Sequence, residues 1–218
     1  MSEGAGLRLN ALLAEAGLAQ LDDEVAGRFE AYLSLFIRWN SRINLSSIRD
    51  EEGITSRHLV ESIVVAVTLP AGMTSLLDFG SGGGLPGIPI ALCRPEIVVT
   101  LAESQSKKAA FLQEAVRVLG ISANVHAGRA ETLGAVFDCV TMRAVDRMAE
   151  AVGLASRLVV PGGWLALMTT GKDVARLHGT AGAGFSWGDP MPLPGGDDRV
   201  LALGKRRDQF ASLASASL

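Results

Sequence analysis

The chain has 218 residues, room for one domain with an appendage and for a core that needs neither disulfides nor a metal. Its 48% hydrophobic and 20% charged residues, with 25 glycines, exclude a disordered chain, a coiled coil and a charged nucleic-acid tail. Twenty basic against twenty-three acidic residues leave a net charge of −3, which argues against gripping nucleic acid by bulk charge but permits a local basic patch.

The start, Met1-Ser2-Glu3, has no basic region ahead of an apolar stretch, so no secretory leader is expected and the cytoplasm is the default compartment. Helices come first. Leu7, Leu9, Leu12 and Leu13 mark an apolar face that ends at Gly17, and Val25, Phe29, Tyr32, Leu33 and Phe36 repeat at helical spacing. A third helix runs from Ile54 through Leu59, Ile63 and Val67 to Pro70. No apolar run of the sequence approaches the ~20 residues of a membrane span, the longest strong one being Ile63 to Val67, so no membrane is expected. Residues 1–70 therefore read as a helical cap and residues 71–218 as an α/β unit.

From Ser75 the texture changes. Short apolar runs (Leu76 to Phe79, Ile97 to Leu101, Ala123 to His126, Phe137 to Met142, Trp164 to Met168) alternate with helical stretches (Ile88 to Cys93, Lys107 to Leu119, Asp146 to Val159). That alternation predicts βαβ units around a parallel sheet. Gly182 to Trp187 and Val200 to Leu203, on either side of the Pro/Gly-rich stretch from Gly188 to Gly196, read as antiparallel edge strands. Cys93 and Cys139 lie in apolar surroundings without metal-ligand spacing, so buried thiols and no metal site are expected.

The strand Leu76 to Phe79 runs into Gly80-Ser81-Gly82-Gly83-Gly84-Leu85-Pro86-Gly87 and then a helix start. Missing side chains and free N–H groups at such a junction admit a polar ligand. Two registers compete for it. Gly82-x-Gly84-x-x-Gly87, with Glu103 nineteen residues past Gly84, satisfies a dinucleotide fingerprint and would suit an NAD-linked oxidoreductase. A non-catalytic nucleotide-binding module would carry the same loop. The other register, Asp78-x-Gly80-x-Gly82-x-Gly84, resembles motif I of the S-adenosylmethionine-dependent methyltransferases. In both, Glu103 at the end of the second strand can accept from the two hydroxyls of a ribose. Gly128-Arg129-Ala130-Glu131 after the third strand and Pro161-Gly162-Gly163-Trp164 ahead of a late strand favour the methyltransferase.

Further pieces make the resemblance specific. Arg38-Trp39-Asn40, Asn44-Leu45-Ser46-Ser47-Ile48-Arg49-Asp50, Arg57-His58-Leu59-Val60-Glu61-Ser62, Lys107-Lys108-x-x-Phe111-Leu112, Phe137-Asp138, and above all Gly84-Leu85-Pro86-Gly87-Ile88-Pro89 with Arg143-Ala144, resemble the RsmG (GidB) family of bacterial 16S ribosomal RNA guanine-N7 methyltransferases. The likeness extends from Phe29 to Lys172. It implies a class I S-adenosylmethionine-dependent methyltransferase fold, Rossmann-like, with a mostly parallel sheet, an antiparallel edge and an N-terminal helical cap. It also implies S-adenosylmethionine as cofactor and methyl transfer to N7 of the guanine at position 527 of 16S ribosomal RNA, in the RNA or the small ribosomal subunit. Guanine N7 carries a lone pair and no proton, so attack needs no general base and catalysis rests on positioning. By this resemblance Asp78, Gly80, Gly82, Gly84, Leu85, Glu103, Ala130, Glu131 and Arg143 surround the cofactor.

On the substrate side, Arg143 ends a parallel strand and could hold guanine O6 or a phosphate; the bland alternative is an ion pair with Asp138 or Asp146. Lys172 stands about one turn from the place where the family carries Leu-Lys-Gly, and also reads as a helix-start lysine. Arg199, before the last strand, completes the expected catalytic set. Arg129 is open between fold, adenine rim and RNA, and Lys107 and Lys108 between phosphate and a solvated helix face. Lys205-Arg206-Arg207 is open between an RNA-facing tail and a frayed end. His58 and Ser62, four apart on a helix, are expected to pack or order a loop, as are Trp39 and Asn40. Arg38, Arg42, Arg49, Arg143, Lys172 and Arg199 are expected to gather near the cofactor mouth.

Overall fold

A computed structural model describes residues 4–145, 147–195 and 198–208. Met1-Ser2-Glu3, Asp146 and Gly196, on which expectations above fall, lie outside the described residues. After α1 (Ala5–Glu15), the Asp22 carboxylate accepts the Val25 N–H and opens α2 (Asp23–Ile43), which Asn44 closes in the left-handed conformation. The stripe Phe29, Tyr32, Leu33 and Phe36 is buried, as its spacing predicts. The third helical segment begins earlier than expected. Asp50 caps Gly53 at 2.6 Å, starting α3 (Glu51–Gly53), and one wide π-helical turn, Ile54–Leu59, leads into α4 (Val60–Thr68). The Asp50 cap is the sequence signal that a start at Ile54 overlooks.

The rest alternates: β1 (Ser75–Phe79), α5 (Gly87–Cys93), β2 (Val98–Ala102), α6 (Ser106–Leu119), β3 (Ala123–His126), β4 (Phe137–Arg143), α7 (Met148–Ala155), β5 (Val159–Thr170), α8 (Gly171–Ala181), β6 (Phe185–Trp187), β7 (Met191–Pro192) and β8 (Arg199–Arg206). The strands lie in the order β3-β2-β1-β4-β5-β8-β6, with β7 on β8. β1 to β5 pair in parallel, and β8 pairs antiparallel with β5, β6 and β7. β5 is longer than the expected Trp164 to Met168. Pro161-Gly162-Gly163, expected ahead of the late strand, lies within it as a bulge. Phe137 pairs with Val159 while Cys139 pairs with Trp164, and Gly162 takes φ 77°.

Side chains alternate across the sheet. Leu76, Val99, Leu101 and Cys139 join one buried cluster with Leu9, Leu13, Phe29, Phe36 and Ile63, so the N-terminal helices share a core with one face of the sheet. Leu77, Phe79, Val140 and Leu165 join the other cluster with Val152 and Leu177 of α7 and α8. Burial holds the Cys93 thiol up at about 12 and pushes Cys139 up as well, which leaves both inert near neutral pH.

The parity of β1 also sets its last residues. Asp78 shares the face of Leu76, beneath the glycine loop, where its Oδ2 accepts the Gly87 N–H at 3.2 Å and its Oδ1 accepts the Thr141 hydroxyl at 3.1 Å. A Cβ on Gly87 would lie 2.4 Å from Leu101 Cδ2 and 2.7 Å from Asp78 Oδ2. Gly87→Ala is therefore expected to lose about 1–3 kcal/mol in a urea titration; a loss under about 0.5 kcal/mol would mean that this approach is not close in solution.

Candidate active site

A cavity of about 570 Å³ opens at the C-terminal ends of the parallel strands. It lies where β1 has β2 on one side and β4 on the other, the reversal of strand order at which open α/β sheets take ligands. One half is built by Gly80, Gly82, Glu103, Ala130 and Glu131. Gly80 and Gly82 take φ 73° and 54°, which keeps backbone rather than side chain at the wall. Glu103 is 6% exposed; its Oε2 accepts the Gly82 N–H at 2.9 Å and its Oε1 the Gln105 N–H at 2.7 Å. Each oxygen keeps a further lone pair for a ligand hydroxyl. From the helical layer, the buried Tyr32 hydroxyl donates to the Gly83 carbonyl at 2.5 Å and straps the loop in place.

The other half centres on a buried acid. Glu61 of α4 is 1% exposed, with Arg143 Nη2 at 3.2 Å from Oε2 and Arg199 Nη2 at 2.5 Å from Oε1. Burial pushes the Glu61 carboxyl up from its ordinary value, and the charges of Arg143, Arg199 and Arg57 pull it back. Arg143 Nη2 also meets His58 Nδ1 at 2.5 Å, while Arg143 Nη1 is buried without a hydrogen-bond partner among the described residues. His58 is driven down to about 3 by burial and by Arg143, Arg199 and Arg57, so the ring is neutral at physiological pH. Burial raises Asp78 to about 6 against the hydrogen bonds from Thr141 and Gly87.

The expected site residues divide accordingly. Gly80, Gly82, Leu85, Glu103, Ala130, Glu131 and Arg143 line the cavity. Asp78 and Gly84 do not: Asp78 ties the loop from below, and a Cβ on Gly84 would meet Ile88 Cδ1 at 2.4 Å, so that glycine serves helix packing. Arg199 also stands off the wall because Glu61 holds it, and Lys172 is exposed on the first turn of α8. The expected gathering of basic groups needs correction. Of the six residues named, only Arg143 lines the cavity; Arg38 instead bonds Glu114 at 2.6 Å. The cationic wall comprises Lys108, Arg129 and Arg147 with Arg143, and Arg129 and Arg147 pair with Glu131 and Glu150.

Arg143 has its ion pair with Glu61 rather than with Asp138, whose carboxylate accepts from the Thr74 and Ser75 N–H groups; the other candidate, Asp146, lies outside the described residues. Asn40 orders the following loop, donating to the Ile48 carbonyl and accepting the Ser46 N–H, and Trp39 donates to Glu114. Sequence reasoning assigns no site role to Glu61, Tyr32 or Ser46. An acid within the apolar run of α4 is the signal that could have found Glu61. Among the described residues no cluster of His, Cys, Asp and Glu could hold a metal, and no helix is long and apolar enough to cross a membrane.

Solved methyltransferases share this architecture. One from Pyrococcus furiosus matches with a TM-score of 0.59 at 14% identity, covering 84% of this chain and 99% of that one. An O-methyltransferase family protein from Burkholderia thailandensis matches with a TM-score of 0.57 at 13% identity, covering 84% of this chain and 60% of that one. The fold is that of the class I methyltransferases. Residues 26–179 match the family described as rRNA small subunit methyltransferase G (GidB), and the chain belongs to that family. A relative named Ribosomal RNA small subunit methyltransferase G from Xanthomonas campestris is 39% identical over 196 residues, 86% of this chain and 90% of its own. A relative of the same name from Neisseria meningitidis is 40% identical over 163 residues, 74% of this chain and 78% of its own.

The two displaced titrations act on stability with opposite signs. His58, lowered from 6.5 to about 3 by folding, contributes stability that is complete above pH 6.5 and is lost as pH falls through that window. Asp78, raised from 3.8 to about 6, costs stability above about 6 and returns it as pH falls toward 3.8. In the difference between wild type and His58→Asn the Asp78 contribution cancels. That difference, from urea titrations, should shrink as pH is lowered from 6.5 to about 4.5; a pH-independent difference would show that His58 titrates normally.

Proposed function

We propose that this chain transfers a methyl group from S-adenosylmethionine to N7 of the guanine at position 527 in 16S ribosomal RNA. The observation that carries the reading is family membership across residues 26–179, joined to a cavity at the strand-order reversal whose walls suit a nucleoside on one side and a nucleobase on the other. The NAD-linked oxidoreductase and the non-catalytic module considered from the glycine loop do not fit that membership.

The cavity fits the cofactor on features of its own: a carboxylate with free lone pairs for a ribose at Glu103, side-chain-free backbone at Gly80 and Gly82, and a 3₁₀ turn at Ala130–Thr132 for the adenine. When bound, S-adenosylmethionine would supply a sulfonium methyl group that a neutral lone pair can attack, the N–C bond forming as the C–S bond breaks and S-adenosylhomocysteine leaving as a neutral thioether. Glu103 orients the ribose, and Ala130 and Glu131 border the adenine. Arg143, with Nη2 committed to Glu61 and His58, sets its guanidinium charge at the cavity wall, toward guanine O6 or a flanking phosphate. His58 is not a base here, because its Nδ1 lone pair faces the Arg143 guanidinium. N7 has no proton to give up, so the chain's work is alignment.

The test is the position of labelled methyl on small ribosomal subunits from a strain lacking its own enzyme. N7-methylguanine at position 527 is expected, and methyl at another atom or nucleotide would refute the proposal. Arg143→Lys keeps the charge beside Glu61 but loses the planar fork. It should bind S-adenosylhomocysteine as wild type does while transfer falls about 100-fold; weakened cofactor binding would move Arg143 to the cofactor side.

A further inference from the structure

The hydrogen bonds around His58 run in one direction. Arg143 Nη2 lies 2.5 Å from His58 Nδ1. A guanidinium has donors and no acceptor, so Nδ1 must accept and the ring proton sits on Nε2. Nε2–H then donates to Ser46 Oγ at 2.7 Å. The Ile48 N–H donates to the same oxygen at 3.1 Å. Both lone pairs of the hydroxyl are engaged, and its own hydrogen has no acceptor among the hydrogen bonds of the described residues. The permanent charge of Arg143 thus fixes Ser46 as a donor, two residues away through the imidazole.

Ser46, His58 and Arg143 all line the cavity. Arg143 ends β4, on the opposite side of β1 from the half built by Glu103, Ala130 and Glu131, and it brings His58 and Ser46 to that side with it. A donor there wants an acceptor on the substrate. Guanine presents O6 beside N7 on one edge, whereas adenine presents an amino donor at the same place. Two donors face to face would leave the serine hydroxyl unpaired in a partly dry site, which costs more than a missing contact.

We propose that Ser46 is a specificity-determining residue whose hydroxyl donates to O6 of the target guanine, with His58 as the positioning residue that keeps it a donor. This rests on the guanine-N7 reading above. The test uses small ribosomal subunits reconstituted with guanine or with 2-aminopurine at the target position; 2-aminopurine retains N7 and lacks O6. Ser46→Ala should lower kcat/KM on guanine about tenfold, the worth of one hydrogen bond, and leave transfer to 2-aminopurine at the wild-type level. Ser46→Thr, which keeps a hydroxyl, should restore the rate on guanine, and affinity for S-adenosylhomocysteine should be the same in all three proteins. Equal losses on both bases would reduce Ser46 to a loop-ordering residue, and a weakened S-adenosylhomocysteine complex would assign the hydroxyl to the cofactor; either overturns the proposal. Wild-type protein that puts no methyl on guanine N7 would instead overturn the underlying reading, a result visible before any variant is compared.

Discussion

One buried carboxylate holds the β4 side of the cavity together. Glu61 belongs to α4 of the helical layer, yet its partners come from the last residue of β4 and the first of β8. Taking that charge out of water is costly and is offset because two guanidinium groups converge on it; removing Glu61 would leave both guanidinium groups without their shared counter-charge. The same placement gives the site its polarity. Two arginines share one acid, and their surplus positive charge, added to burial, keeps His58 neutral and obliges it to accept from Arg143. From there the orientation of the Ser46 hydroxyl follows.

The half of the cavity built by the glycine loop and Glu103 depends on a different device, the underside of that loop. Asp78 holds Gly87 and Thr141 from beneath, and Tyr32 holds Gly83 from the helical layer. The helices of residues 4–69 therefore act on both halves, through Tyr32 on one and Glu61 on the other. Their burial in the same apolar cluster as β1 and β2 makes those contacts rigid.

Much of this was legible in the sequence. Strands buried on both faces read as apolar runs, which is why β1, β2 and β4 fall within a residue or so of their expected positions, and the glycine loop and Glu103 stand at the strand ends their spacing implies. What spacing does not reveal is the direction a side chain faces. Asp78 looks like a ligand of the loop's contents, but strand parity turns it beneath the loop. Arg199 looks like a free cation until Glu61, distant in sequence, is seen to hold it. Lys172 sits near the family's lysine in the chain and on an exposed helix turn in space. The bulge at Pro161-Gly162-Gly163 escaped because turn residues inside a strand mimic its end.

The net charge of −3 fits this picture. Cations on the cavity wall are interleaved with Glu131 and Glu150, so the cavity does not present an unbroken basic surface. Catalysis by alignment has a direct signature in pH. Burial and the neighbouring arginines hold His58 down to about 3, burial holds Asp78 at about 6, and guanine N7 has no proton to lose, so none of these three changes state above pH 7. The most direct measurement is the single-turnover rate of methyl transfer to small ribosomal subunits as a function of pH. The account predicts a rate constant within about twofold from about pH 7 to 9; a limb following one ionisation, or a bell, would reveal a protein acid or base in the chemical step and contradict it.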